Sequence, residues 1–342
     1  MIETLRHARL KTGERLRIAA LTAPAGRYAE AIRQFLAHKG QPWLLHVEMA
    51  NQALTDRLRT TYYVGLLNGG LVGNVMIVDD GRVGILGHVF TAPDHRRKGI
   101  CQHLVAAATE GFRAAGGRAL TLGTGFESPA YWIYHGSGFR SIGPGSGHMV
   151  FEARPGAFTR HFAPAATRVA DAAWEHWPGI SALFIQGEGD RLRSAAYAVH
   201  GSVGFEGGFL TLQCQRKRLG VQAKVLITRT GAVVGTAILQ RDSRWPAPVH
   251  ILDLFVHPSF RGQERRLLRS VRLPAAAKIQ AYLDLPSAGR ARALQAAGFR
   301  REATLRGQLR VGPRAVDVAV LTLRTPPDPA QCVLSHTSRR DG

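Results

Sequence analysis

Val89-Phe90-Thr91-Ala92-Pro93-Asp94-His95-Arg96-Arg97-Lys98-Gly99-Ile100-Cys101-Gln102 is the stretch that decides the fold. An apolar strand runs into a proline turn, the turn carries three consecutive cations, and a glycine opens a helix. The first N–H groups of a helix have no intrahelical partners, so they point outward and bind phosphate oxygens, helped by the positive end of the helix dipole. Gly99 lets an anion approach the backbone closely, and Arg96, Arg97 and Lys98 add charge. Such a turn reads as a cradle for a pyrophosphate.

Outward from this turn, the pattern predicts helices over 26–38 and 48–60. A strand meander follows over 62–67, 71–79 and 82–91, with turns at Asn68-Gly69-Gly70 and Asp80-Gly81. The helix after the cradle spans 99–115, with Ile100, Leu104, Ala107 and Ala108 at helical spacing, and Gly116-Gly117 ends it. A strand over 118–124, a short helix over 128–136 and strands near 139–142 and 148–153 complete an α/β domain with a mixed sheet.

The same signals recur in the second half, in the same order and at nearly the same spacing. Leu71-Val72-Gly73 is echoed by Val233-Val234-Gly235, Val89-Phe90-Thr91-Ala92-Pro93 by Leu254-Phe255-Val256-His257-Pro258, and Gly138-Phe139-Arg140 by Gly298-Phe299-Arg300. Two copies of one domain are expected: 1–155 and 165–330, followed by a tail over 331–342. The linker is expected at 153–168, where Pro155, Gly156, Pro164 and several alanines fall.

Composition sets the outer limits. A chain of 342 residues, 45% hydrophobic and 20% charged, is globular and long enough for two cores. It shows no signal-peptide pattern and no run of about 18 apolar residues, so no membrane span is expected. Cys101, Cys214 and Cys332 lack metal-ligand spacing, which points to reduced thiols, a cytoplasmic setting and no metal. Forty-five Lys and Arg against 24 acids give a formal charge of +21. That surplus suits an anionic partner on a basic surface, and equally an Arg-rich solvated exterior.

Arg96-x-x-Gly99-x-Cys101 resembles the pyrophosphate signature of the GNAT superfamily (Gcn5-related N-acetyltransferases), with Cys at a position that is usually Gly or Ala. A second motif of that superfamily is matched by Glu127, Ala130, Tyr134 and Gly138-Phe139, with Glu127 replacing the usual Asn. The resemblance implies two tandem α/β domains, each a mixed, mostly antiparallel sheet flanked by helices. It implies acetyl-CoA or a longer acyl-CoA as co-substrate, held by Val89, Phe90 and Thr91 along the pantetheine arm and by Arg96, Arg97, Lys98, Gly99, Ile100, Cys101 and Gln102 at the phosphates. The acceptor is then an amine of a small molecule or peptide that attacks the thioester directly. Tyr134 falls where the superfamily's tyrosine protonates the departing thiolate, and a phenol near pKa 10 suits that task.

The proton acceptor is open between three residues. His88 has the right intrinsic pKa, but strand alternation places it on the face opposite Ile85, Gly87 and Val89; a β-bulge would return it to the site. Glu127 is expected at the end of the next strand, and Glu48 before the second helix is a third candidate. The second copy has Glu264 at the cradle glycine and Leu294 at the tyrosine position, so it is expected not to carry the reaction. Two rivals stand beside an N-acyltransferase: an aminoacyltransferase of the Fem type, using aminoacyl-tRNA on the basic surface, and a non-catalytic acyl-CoA-binding module. The intact cradle weighs against the first and Tyr134 against the second.

Overall fold

A computed structural model describes residues 3–275, 277–284, 287–311 and 314–326; the expected tail over 331–342 and Cys332 lie outside them. The described chain forms two compact units. The first contains the residues up to Ala163 together with Ala173–Gly187 and Ser202–Thr211, and the second contains Pro164–Ala172, Glu188–Gly201 and the residues from Leu212 on. A single break at 153–168 would have assigned 173–187 and 202–211 to the second half.

In the first unit an eight-stranded sheet comprises β1 (Glu3–Arg9), β2 (Arg15–Thr22), β3 (Arg59–Leu67), β4 (Gly70–Asp79), β5 (Val83–Thr91), β6 (Ala119–Gly123), β7 (Arg140–Ser141) and β8 (His148–Glu152). Its order is β1-β2-β3-β4-β5-β6-β8-β7. Neighbours are antiparallel except β5 and β6, whose connection is long enough to carry a crossover helix. The helices are α1 (Ala29–Phe35), α2 (Trp43–Asn51), α3 (Ile100–Ala114), α4 (Pro129–Gly136), α5 (Ala157–His161), α6 (Trp177–Ile185) and the first turns of α7 (Glu206–Leu219).

α3 buries Ile100, Leu104, Ala107 and Ala108, the stripe expected from its spacing, against the sheet. Gly73 on β4 permits that approach, because a Cβ there would lie 2.7 Å from Ile100. The helix expected at 48–60 lies earlier, at Trp43–Asn51. Ala53 and Asp56 take positive φ, 57° and 52°, and the chain then enters the β2–β3–β4 ladder at Arg59. There Arg59 forms a two-pronged ion pair with Asp79, at 2.7 and 3.0 Å. Ladder pairing on both edges overrides the local helical pattern of 52–60.

The second unit contains β9 (Thr167–Asp171), the short pair β10 (Leu192–Ser194) and β11 (Val199–His200), then β12 (Gln222–Thr228), β13 (Val233–Arg241), β14 (Val249–Val256), α8 (Glu264–Arg269), β15 (Lys278–Asp284), α9 (Ala288–Ala296), β16 (Arg300–Val311) and β17 (Arg314–Arg324). Its main sheet runs β9-β12-β13-β14-β15-β17-β16, the order of the first sheet without β1, again with one parallel pair, β14 and β15. The echoed residues occupy matching places. Gly138 and Gly298 both have positive φ, 93° and 90°, and Phe139 and Phe299 each donate a backbone N–H, 3.1 Å long, to Tyr134 and Leu294. Among the described residues no helix is long and apolar enough to cross a membrane.

Candidate active site in the first unit

The site begins where the sheet opens. β5 and β6 pair only at Val83–Ile85 with Ala119–Thr121, and beyond Ile85 they have no ladder in common. On its other edge β5 carries a bulge. Asn74 pairs with Phe90 and Met76 with Gly87, so one residue of β4 faces two of β5, His88 and Val89. His88 takes φ +47°, and its carbonyl accepts a 2.9 Å bond from the Asn74 side-chain amide. The extra residue breaks the period-2 alternation. His88 therefore lines the opening rather than the opposite face.

Two cavities meet at Val89. The first, of about 610 Å³, runs along Val89–Thr91, past the cradle and the first turn of α3, to Ser128, Pro129, Ala130 and Ile133. Gly99 caps α3 with φ +93°, a conformation that costs other residues about 1–2 kcal/mol. Arg96, Arg97, Gly99, Ile100, Cys101 and Gln102 all line this cleft, and Arg96 Nε donates to the Thr91 carbonyl at 3.3 Å. Lys98 is the exception: its ammonium pairs with Glu14 at 3.1 Å and does not line the cleft. Lys11 and His95 supply the further basic groups. Burial pushes the Cys101 thiol up to about 11, so it stays protonated and acts as packing.

The second cavity, about 370 Å³, is lined by His38, Lys39, Trp43, His88, Tyr134 and Glu206, among others. Tyr134 reaches it from α4, a helix started by Ser128, whose hydroxyl accepts the Tyr131 N–H at 3.2 Å, and by Pro129. Burial, with the nearby Cys101 and Glu206, pushes the Tyr134 phenol well above its ordinary value. It therefore holds its proton at neutral pH. Burial, then Lys39 and His38, push His88 down to about 4, and both of its ring nitrogens lack a hydrogen-bond partner among the described residues. Burial also lowers Lys39, whose ammonium donates to the Val89 carbonyl at 3.4 Å.

Glu127 does not end a strand. β6 stops at Gly123, and Glu127 sits four residues on, in the turn before α4, exposed and at φ +56°. It lines neither cavity, and Glu48 on α2 lines neither. The carboxylate that does line the second cavity is Glu206, which burial pushes up to about 7. Sequence reading passed over it. The local signal, an acid between Gly204-Phe205 and Gly207-Gly208, carries no chemistry by itself, and its packing in the first unit is non-local.

The second unit differs at each of these points. Glu264 begins α8 and accepts the Gly262 N–H at 2.7 Å, so the chain's own carboxylate sits in the loop matching the cradle. The Leu254 carbonyl, which corresponds to that of Val89, accepts from Arg290 at 3.2 Å. The space where β14 and β15 part is bridged by the β10 segment, whose backbone amides donate to Asp284 and Asp253.

A cation-bearing strand-to-helix turn, an opened sheet and a buried tyrosine thus converge on two adjoining cavities. Residues 29–135, all in the first unit, match the model of the acetyltransferase (GNAT) family. Solved structures similar to the chain include an N-acetyltransferase from Staphylococcus aureus Mu50, 17% identical, covering 47% of this chain and 99% of that one with a TM-score of 0.39. Another is yncA, a putative acetyltransferase from Salmonella typhimurium with its cofactor acetyl-CoA, 18% identical, covering 48% and 96% with a TM-score of 0.40. Spermidine N-acetyltransferase from Vibrio cholerae, in complex with CoA and spermine, is 12% identical, covering 46% and 95% with a TM-score of 0.36. No curated protein matches.

Proposed function

We propose that the first unit transfers an acyl group, acetyl by default, from acyl-CoA to the amine of a small molecule or peptide. The observation that carries this reading is the junction of the two cavities at the His88 bulge. A pantetheine arm lying along Val89–Thr91, with its pyrophosphate at Gly99–Gln102, would bring the thioester to the mouth of the cavity lined by Tyr134. The backbone amides at the start of α3, with Arg96 and Arg97, hold the phosphates. The amine attacks the carbonyl carbon, the C–N bond forms, the C–S bond breaks, and Tyr134 gives its proton to the thiolate. Burial, which raises the phenol's pKa, keeps it protonated until then.

The second unit, on this reading, binds no CoA. An internal carboxylate in the loop that matches the cradle repels a pyrophosphate. Its exposed Arg265 and Arg269 are suited to an anionic partner. Calorimetric titration of the full chain with acetyl-CoA, followed by assay of free thiol in the presence of amines, tests the proposal. Saturable binding with amine-dependent thiol release supports it, and absence of binding refutes it.

A further inference from the structure

The carboxylate of Glu206 comes from outside the stretch that matches the family model, yet it lies in the first unit beside Tyr134. Its position is built firmly. Val203 donates its N–H to the Phe184 carbonyl at 3.2 Å, and the Phe205 ring packs edge-on to Phe184 with centroids 4.9 Å apart. Four residues after Phe205, Phe209 stacks on Trp177, at 5.7 Å and 8° between planes. Gly207 brings the start of α7 against Trp43, where a Cβ would lie 3.4 Å from the indole. Glu206, between the anchored Phe205 and Phe209, is left facing the cavity.

Its surroundings fit one task. The ionisable groups around the cavity are Tyr134 from α4, His88 from β5, His38 and Lys39 from the turn before α2, and His148 from β8 beside Gly204. Burial holds each histidine below its ordinary pKa, so all three are neutral and weakly basic at pH 7. Tyr134 and Lys39 carry protons. A proton acceptor works best when its pKa lies near the working pH, and Glu206, raised to about 7 by burial alone, meets that condition.

On the acyltransfer reading above, we propose that Glu206 is the catalytic proton acceptor for the attacking amine, supplied to the first unit by the segment 202–211. An acceptor entering as ammonium gives one proton to the Glu206 carboxylate and attacks as the free amine. As the C–N bond forms and the C–S bond breaks, the thiolate takes the proton of Tyr134, and the nitrogen's second proton passes to the phenolate this leaves. Release from Glu206 then leaves one net proton for solvent. The pocket selects an acceptor whose amine can reach past Trp43 to a single carboxylate.

The test compares wild type, Glu206→Gln and Glu206→Asp as full chains, with tryptamine, spermidine and L-lysine as probe amines. Acetyl-CoA affinity is read by calorimetry and turnover by thiol release between pH 5.5 and 9. The carboxylate is the competent form, so the ratio of wild-type to Gln-variant rates, which cancels the amine's own titration, should climb through pH about 7 and then level. At the plateau it should reach roughly 10²–10³, with acetyl-CoA affinity unchanged and part of the rate recovered by Asp. A ratio near one across the range overturns the assignment and leaves acyltransfer standing. A wild-type chain that does not bind acetyl-CoA overturns the acyltransfer reading itself.

Discussion

β5 and β14 hold the same place in sheets of the same order, yet they differ over a single residue. β4 and β5 slip register at His88, and the strand end beyond the slip, Val89–Thr91, lines a cleft. β13 and β14 pair without a shift from Gly235–Val256 to Arg241–His250. Asn74 is part of the cause: its amide satisfies the His88 carbonyl that the bulge removes from the ladder. At the matching place β13 has Thr236, paired regularly with Phe255. A cradle and an opened sheet are thus not sufficient to make a site. The second unit has the parted strands, but Glu264 bonds an amide of its own loop where the first unit has Gly99.

The largest effect is expected from giving the first unit the second unit's residue. Gly99→Glu places an L side chain at φ +93° and an anion in the phosphate path, and acetyl-CoA affinity should fall beyond detection in a calorimetric titration. The space is open, with Gln102 the nearest side chain at 3.6 Å, so conformation and charge, not a clash, cause the loss. Unaltered affinity would place the phosphates elsewhere.

Tyr134→Phe is next. It keeps the ring against Phe139 but removes the phenolic proton, and turnover should drop by roughly one to three orders of magnitude with acetyl-CoA binding and melting temperature unchanged. Full activity would mean that the thiolate leaves without this proton. Asn74→Ala probes the bulge and should cost about 1–3 kcal/mol of stability in chemical denaturation, from a buried carbonyl left unpaired. Its loss of turnover should be smaller than that of the tyrosine variant. A variant as stable as wild type would show that the bulge holds without Asn74.

Much of this comparison could be read from the sequence, for reasons that depend on distance along the chain. α3 and α4 are local patterns within a few turns, and the structure has those helices where spacing placed them. α2 was misplaced because its end depends on ladder pairing from Arg59, and β1 and β2 carry too many charges, among them Arg6, Arg9, Arg15 and Arg17, to show strand alternation. The bulge could be named as a condition but not seen, since it depends on how Asn74 meets His88 across two strands. Lys98 pairs with Glu14, far back in the sequence, a contact that no local pattern reports. Glu206 is the extreme case: its role depends on which unit its segment joins, and no periodicity reports that.

The most direct measurement is the number of acetyl-CoA molecules bound per chain, read by native mass spectrometry of the full protein at saturating ligand. One per chain is expected, because the loop that matches the cradle in the second unit carries the carboxylate of Glu264. Two per chain would contradict the division between the units, and none would contradict acyl-CoA binding altogether.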